Sequence, residues 1–221
     1  MTRIKICGIT NVDDARCAAG AGVDFLGFVF YPKSPRFVTL GQAATITRTI
    51  RHEFGADAPR CVGIFVNESV ECVLAVLNSI NLDLAQLHGN EPPDEVRMLH
   101  PRAFKAIRPQ AHDEAEAAIA AYCDVAPNDA ALPQLLMDAY HPQQFGGTGI
   151  PADLVVARLL ARHLRLLLAG GLTPETVGPA IGQVRPWGVD VSSGVERAKG
   201  IKDHARVRAF VEAVRAANAI E

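Results

Sequence analysis

The sequence lacks the features that mark membrane proteins, secreted disulfide-bonded proteins and zinc proteins. No apolar run approaches the ~18 residues that span a bilayer, and no apolar stretch near the N-terminus precedes a small-residue cleavage site. The five cysteines include no CxxC pair, which argues against a disulfide framework and a zinc site. We therefore expect reduced thiols, no zinc site and a cytoplasmic location.

An excess of charge of one sign is also missing. Lys and Arg together number 22 and Asp and Glu number 24, so the net charge is −2. This balance creates no field that would draw nucleic acid or an anionic membrane to the chain. Any anion must therefore be bound by a local site, and we expect a small molecule rather than nucleic acid or a membrane as the partner.

The chain does have a regular alternation of short apolar or β-branched runs with amphipathic stretches. The candidate strands are 3–8, 25–30, 61–66, 84–88, 103–107, 135–139, 164–169 and 188–192. Their starts are roughly 20 to 35 residues apart, which is the span of one strand, one helix and two loops. The pattern predicts an α/β fold, a compact (β/α)8 (TIM) barrel formed as one domain over residues 1–221.

An open, doubly wound sheet is the competing fold. It is disfavoured because no GxGxxG segment follows the first strand. The glycine-rich segments instead follow the sixth, seventh and eighth candidate strands.

The stretches between the strands have helical periodicity and helix start signals. Apolar residues recur at i, i+3, i+4 and i+7 from Val70 and again from Val207. The segment 10–13 resembles a capping box, and Thr173-Pro174-Glu175 predicts an N-cap followed by a proline at the first helical position. The stretch 113–122 and the tail after residue 200 are predicted to be barrel helices.

Cys7 is the first candidate for chemistry. It follows the alternating segment 3–6 and precedes Gly8, so it is predicted to lie at the carboxyl end of a strand. In parallel α/β folds this end of the sheet binds ligands. The alternative is a buried thiol that serves as a small apolar side chain.

Two glycine-rich segments follow the seventh and eighth strands and predict a phosphate site. They contain Gly170 and Gly171 in the first segment, and Ser192, Ser193 and Gly194 in the second. Backbone amides in such loops point their partial positive charge at an anion, and many barrels build a phosphate site here. Ordinary turn glycines are the alternative.

Two carboxylates stand at strand ends. Asp138 follows the apolar residues of strand six, where a carboxylate is costly unless it is ion-paired, protonated or needed for the chemistry. We interpret it as catalytic, with a loop-bracing carboxylate as the alternative. Asp190 either binds substrate hydroxyls or braces the barrel.

A cation and an imidazole complete the candidate site. Arg36 lies in a loop stiffened by Pro32 and Pro35, where a guanidinium could grip a planar carboxylate with two hydrogen bonds. A solvated surface arginine is the alternative. His88 follows strand four and could line the pocket or orient a neighbour, but the sequence supplies no partner that would orient its ring.

Taken in order, nine segments resemble the phosphoribosylanthranilate isomerase family. They are Lys5-Ile6-Cys7-Gly8-Ile9-Thr10, Gly27-Phe28-Val29-Phe30, Ser34-Pro35-Arg36, Val62-Gly63-Ile64-Phe65, Gln86-Leu87-His88-Gly89, Asp138, Gly146-Gly147-Thr148-Gly149, Leu168-Ala169-Gly170-Gly171-Leu172 and Gly188-Val189-Asp190-Val191-Ser192-Ser193-Gly194-Val195-Glu196. The resemblance runs in collinear order from residue 3 to residue 196. The segment after Gly149, 150–154, departs from the family pattern.

The resemblance implies a (β/α)8 barrel that acts in tryptophan biosynthesis without cofactor or metal, as a monomer or homodimer. The implied reaction is the Amadori rearrangement of N-(5′-phosphoribosyl)anthranilate to 1-(2-carboxyphenylamino)-1-deoxyribulose 5-phosphate. It implies Cys7 as general base, Asp138 as general acid and Arg36 as the anchor of the anthranilate carboxylate. The glycine and serine residues of the last two segments would bind the phosphate.

The proposed base poses a chemical question. An ordinary thiol has a pKa near 8.5 and is only a few per cent thiolate at pH 7, so Cys7 should be aided by a nearby positive charge such as that of Lys5. A histidine-pathway aminoaldose isomerase, expected to rely on two aspartates, and a non-catalytic phosphate-binding barrel are the competing interpretations.

Overall fold

The structure is a computed structural model that describes residues 1–138 and 153–219. The barrel strands are β1 Arg3–Ile6, β2 Phe25–Val29, β3 Arg60–Phe65, β4 Leu84–Leu87, β5 Ala103–Ile107, β6 Leu135–Met137, β7 Leu166–Leu168 and β8 Gly188–Val191. The helices are α1 Val12–Gly20, α2 Leu40–Phe54, α3 Val70–Ser79, α4 Pro93–Met98, α5 His112–Tyr122, α6 Leu154–His163, α7 Val177–Val184 and α8 His204–Asn218.

The eight strands form a closed, parallel barrel. Neighbouring strands pair in sequence order, and β8 pairs with β1 in a register that places Lys5 opposite Asp190. The predicted (β/α)8 barrel is confirmed, and the open doubly wound sheet is wrong.

Cys7 and Asp138 lie one residue beyond the ends of β1 and β6. Their backbone amides nevertheless continue the barrel hydrogen bonding, since Cys7 N donates to Val191 O at 2.9 Å and Asp138 N donates to Ile107 O at 2.9 Å. Both side chains therefore keep the alternation of their strands.

The core has two layers. One cluster takes apolar side chains from six consecutive strands, β2 to β7, and fills the barrel interior; its strand members are Phe25, Val62, Leu84, Phe104, Ala106, Leu136 and Leu167. The second cluster combines strand residues with the apolar stripes of the helices, including Val73 and Leu77 of α3 and Phe210 of α8. The predicted stripes of α3 and α8 do face the barrel.

Two predicted helix starts need correction. The cap of α1 is one residue later than expected: Asn11 is the N-cap and accepts a hydrogen bond from Asp14 N, because Thr10 instead donates its hydroxyl to Gly200 O at 2.5 Å. Helix α7 begins at Val177, three residues after the expected start. Thr173 opens a turn that leads into the helix, and its carbonyl accepts from Val177 N.

A short hairpin follows the barrel. Strand β9, Glu196–Ala198, pairs antiparallel with β10, Ile201–Lys202, before α8 begins. The tail after residue 200 is therefore helical from His204 onward, as predicted, but starts as a strand. Within residues 1–138 and 153–219, no helix is both long and apolar enough to span a membrane.

Candidate active site

A cavity of about 320 Å³ opens at the carboxyl ends of the barrel strands. Every second strand residue points into the barrel, so the apolar interior layer is followed by a polar one that lines this cavity. In β4, for example, Leu84 belongs to the interior cluster, whereas Gln86 and His88 line the cavity. The predicted residues that line it are Cys7, Arg36, His88, Asp138, Gly170, Gly171, Asp190, Ser192, Ser193 and Gly194.

Cys7 contributes the only thiol on this cavity among the described residues. Burial raises the pKa of Cys7, while the charges of Lys5 and Lys202 act in the opposite direction. Lys5 thus acts in the direction expected from the sequence, but burial outweighs it.

Lys5 and Asp190 form an ion pair inside the barrel. Lys5 Nζ lies 2.8 Å from Asp190 Oδ1, and the lysine side chain is completely buried. Burial lowers the pKa of Lys5, but the interactions with Asp190 and Cys7 together outweigh this and the net pKa is raised. Asp190 therefore braces the barrel, and because it also lines the cavity it can still reach a ligand.

Arg36 is buried rather than solvated, so the surface-arginine alternative is wrong. Its Nε and Nη2 donate to Glu196 Oε1 and Oε2, each at 2.8 Å. The Nη1 atom has no hydrogen-bond partner among the described residues. Glu196 also accepts from Lys202 Nζ at 2.9 Å. One edge of the guanidinium is thereby fixed, and the other can receive a carboxylate from the cavity.

Asp138 lies next to His88. The distance from His88 Nε2 to Asp138 Oδ2 is 3.3 Å, and both side chains are about nine-tenths buried. The ring has the orienting partner that the sequence did not reveal, because Gln86 Nε2 lies 2.7 Å from His88 Nδ1. With the amide nitrogen donating to Nδ1, the neutral ring carries its hydrogen on Nε2, facing the carboxylate.

The loops after β7 and β8 approach each other closely. Gly170 and Gly171 have φ values of +89° and +65°, a region that strongly favours glycine. Ser192 Oγ is buried without a hydrogen-bond partner among the described residues. The backbone of Ser193–Val195 forms a 3-10 turn. The arrangement offers amides and a hydroxyl to an anion at this end of the cavity.

Three residues of the site received no role from the sequence, namely Gln86, Glu196 and Lys202. Gln86 and Glu196 stand inside segments that carry the family resemblance, which is the signal that could have identified them. Lys202 lies in the tail beyond that resemblance, so no pattern marked it.

Some sequence predictions lie outside the described residues. These are the segment 146–149 and residues 150–152 of the divergent segment. Asp153 is described: its side chain caps α6 by accepting hydrogen bonds from the amides of Val155 and Val156. No group of three or more His, Cys, Asp or Glu side chains in the described parts of the chain is placed to hold a metal ion.

A family model for N-(5′-phosphoribosyl)anthranilate isomerase matches residues 4–213. The chain belongs to the phosphoribosylanthranilate isomerase family. Among curated members, the isomerase of Pseudomonas fluorescens strain Pf0-1 is 46% identical over 215 residues, which cover 96% of this chain and 98% of that protein. The isomerase of Trichlorobacter lovleyi is 43% identical over 212 residues, with coverage of 96% and 97%.

Solved structures of the phosphoribosylanthranilate isomerase family share the fold. The enzyme from Thermotoga maritima aligns with a TM-score of 0.84 at 36% identity, covering 98% of this chain and all of that one. A structure of a family member in complex with reduced 1-(o-carboxyphenylamino)-1-deoxyribulose 5-phosphate aligns with a TM-score of 0.81 at 36% identity, with the same coverage.

Proposed function

We propose that the protein catalyses the Amadori rearrangement of N-(5′-phosphoribosyl)anthranilate to 1-(2-carboxyphenylamino)-1-deoxyribulose 5-phosphate, a step of tryptophan biosynthesis. The observation that carries the proposal is one cavity bounded by the thiol of Cys7, the carboxylate of Asp138 and two amide-rich loops. The thiol follows β1 and the carboxylate follows β6, and β7 and β8 separate these strands on one side of the barrel. The two groups can therefore act on different sides of one sugar.

The cavity offers a separate set of groups to each of the two anionic groups of the substrate. The phosphate would be held by the loops of Gly170–Gly171 and Ser192–Gly194, where amides and the Ser192 hydroxyl are available. The anthranilate carboxylate would be bound at Nη1 of Arg36, because Glu196 holds the other edge. With both anionic groups bound in this way, the ribose would lie between Cys7 and Asp138.

The reaction then needs one acid and one base. Asp138 delivers a proton to the ring oxygen, the bond from C1′ to that oxygen breaks, and the anthranilate nitrogen forms a double bond to C1′. Cys7, as thiolate, removes the proton from C2′, and the electron pair of that C–H bond moves toward the nitrogen. The resulting enolamine becomes the ketone when a proton moves from O2′ to C1′. The substrate gains one proton from Asp138 and loses one to Cys7, so its atoms balance, and proton exchange with water returns both side chains to their starting forms.

The domain organisation, location and oligomeric state of the enzyme are also proposed. We propose that residues 1–221 act as one catalytic domain in the cytoplasm, without metal or cofactor. A monomer and a homodimer both fit, since a solved family member from Thermotoga maritima is described as monomers of a dimeric enzyme.

The test is a steady-state assay that follows the loss of fluorescence of the anthranilate adduct. Purified protein should convert N-(5′-phosphoribosyl)anthranilate, and a parallel assay should show little turnover of the histidine-pathway aminoaldose. Turnover of the second substrate alone would support the competing isomerase. Binding of the first substrate without turnover would support a non-catalytic barrel.

A further inference from the structure

A group of five charged side chains, called here the charged cluster, lies buried beside Cys7. Its members are Lys5, Arg36, Asp190, Glu196 and Lys202, each with a side-chain exposure of 10% or less. The ion pairs are Lys5–Asp190 at 2.8 Å, Arg36–Glu196 at 2.8 Å and Lys202–Glu196 at 2.9 Å. The cluster joins the barrel to the β9–β10 hairpin.

The charges of the cluster do not balance. Three cations face two carboxylates, because Glu196 is shared by Arg36 and Lys202. This leaves a surplus of one positive charge in a buried site. Such a charge is costly unless an anion compensates it.

The sulfur of Cys7 is placed to supply that anion, because it lines the same cavity as Arg36 and Asp190. Lys202 Nζ donates to Ser192 O at 3.2 Å, and the carbonyl of the preceding residue, Val191, accepts from Cys7 N. Lys5 and Lys202 favour its ionised form and Asp190 opposes it. Arg36 also interacts electrostatically with Cys7, and Glu196 is held against Arg36. On the β2 side the neighbour of the sulfur is uncharged, since a Cβ on Gly27 would lie 3.0 Å from Cys7 Sγ. Within the described chain, the other titratable groups that line the cavity are Tyr31, Lys33, His88, Asp138 and Lys199.

We propose that Lys202 and Glu196 are positioning residues for the base: the charge of Lys202 favours the Cys7 thiolate, and Glu196 limits the positive charge around the sulfur. Lys202 supplies the additional cation. Glu196 limits the surplus to one charge and fixes Arg36. The inference rests on the proposed role of Cys7.

The test measures the ionisation of Cys7 directly, without turnover. Unliganded protein is alkylated with iodoacetamide between pH 6 and pH 10, and modification is quantified by mass spectrometry of the Cys7 peptide. Lys202→Met removes a positive charge, so alkylation at pH 7.5 should fall at least ~10-fold. Glu196→Gln removes a negative charge, so alkylation should rise at least ~3-fold. Lys202→Arg keeps the charge and should stay within about 3-fold of the wild type.

The opposite signs separate an electrostatic role from a structural one. Both variants weaken the same ion pair, so a structural role would shift the reactivity of Cys7 in the same direction in both. A common direction, or no shift in either, would overturn the inference. If Lys202→Met does not fold, Lys202→Gln takes its place: it also removes the positive charge but keeps a hydrogen-bond donor, so alkylation should again fall, and a rise or no change would count against the inference.

Failure of this inference and failure of the proposed function would give different results. Absence of the opposite shifts, with wild-type turnover intact, overturns only the role of the cluster. Normal turnover in a Cys7→Ser variant would instead overturn the role of Cys7 in the reaction.

Discussion

A Cβ atom on Gly194 would overlap the carbonyl oxygen of Leu172. This contact joins the loop after β8 to the loop after β7, the two segments that we propose hold the substrate phosphate. Glycine is required at this position because of space, since no side chain can occupy a point that the neighbouring backbone already fills. The spacing between the two loops therefore depends on one residue.

We predict that Gly194→Ala weakens phosphate binding. The loops must separate to admit the methyl group, and the loss of even one hydrogen bond to a charged phosphate is worth ~1.5 kcal/mol or more. KM should therefore rise at least ~10-fold, and inorganic phosphate should inhibit less well than in the wild type. Steady-state kinetics with inorganic phosphate as competitor gives both KM and the inhibition constant of phosphate.

Gly178→Ala is the matched control for this variant. Gly178 lies in α7, and no atom is within 4 Å of a Cβ added there. Alanine at this position should therefore leave KM unchanged, and the free energy of unfolding should stay the same or rise slightly. An unchanged KM in a folded Gly194→Ala protein would show that the phosphate binds elsewhere.

Cys7→Ser should keep the fold and substrate binding but slow turnover. A serine hydroxyl is a far weaker acid than a thiol, so the base that removes the C2′ proton is lost and kcat should fall by roughly 10²–10⁴. The measurement is kcat from the fluorescence assay, with substrate affinity from binding to the variant. Cys72→Ser, at an exposed position on α3, should retain wild-type kcat. Near-normal turnover by Cys7→Ser would refute the assignment of the base.

The alternation of strand residues explains why the sequence predicted so much of the site. A strand places every second side chain inside the barrel, so Lys5 and Cys7 share the interior, as do Leu136 and Asp138. Strand ends and glycine loops were therefore sufficient to place these groups on one cavity. The short-range patterns were less accurate at helix starts, where Asn11 caps α1 because Thr10 bonds to Gly200, far away in the sequence.

The ion pairs could not be predicted, because they depend on contacts between distant segments. Arg36 and Glu196 are 160 residues apart in the sequence, and nothing in the residues around either one indicates the other. The partner of His88 is only two residues away, but its identification required the direction of the Gln86 side chain. Sequence patterns thus placed Arg36 and Asp190 at the site, whereas their ion-pair partners and the roles of Glu196 and Lys202 required the fold.

Arg36→Ala should mainly raise KM. Removal of the guanidinium takes away the charge that we propose binds the anthranilate carboxylate, and such charged hydrogen bonds are worth ~1.5–3 kcal/mol each, or about 10- to 150-fold. The check is a comparison with an aniline analogue of the substrate, which lacks the carboxylate. On this analogue KM of the variant and of the wild type should be similar, whereas any loss of kcat caused by the missing cluster cation should be the same on both substrates. Arg97→Ala, on the exposed face of α4, should change neither KM nor kcat. An unaltered KM for Arg36→Ala would move the carboxylate site elsewhere.

Asp138→Asn should lower kcat with little change in KM. The amide has the shape of the carboxyl group but cannot deliver its proton to the ring oxygen, so a loss of roughly 10²–10⁴ is expected. The measurement is steady-state turnover at saturating substrate. Asp94→Asn makes the same chemical change on the exposed surface of α4 and should leave kcat unchanged. A kcat within about threefold of the wild type in Asp138→Asn would exclude this residue as the acid.

The buried thiol of Cys61 should make stability fall at alkaline pH. Burial raises the pKa of Cys61 from its ordinary value of 9.0 to about 12. Below pH 9 both the folded and the unfolded chain keep this proton, so the group adds no pH dependence. Between pH 9 and pH 12 only the unfolded chain loses it, and the free energy of unfolding should fall by up to ~1.4 kcal/mol per pH unit.

Urea unfolding at pH 8, 9 and 10 tests this expectation with Cys61→Ala as the comparison. The alanine variant should be less stable at pH 8, because it leaves a small cavity in β3. Its stability should decline less steeply above pH 9, so the difference from the wild type should narrow as the pH rises. Cys72→Ala removes an exposed thiol and should change the slope far less. Parallel slopes for the wild type and Cys61→Ala would mean that the folded protein releases the Cys61 proton as readily as the unfolded chain does, which is incompatible with a fully buried thiol.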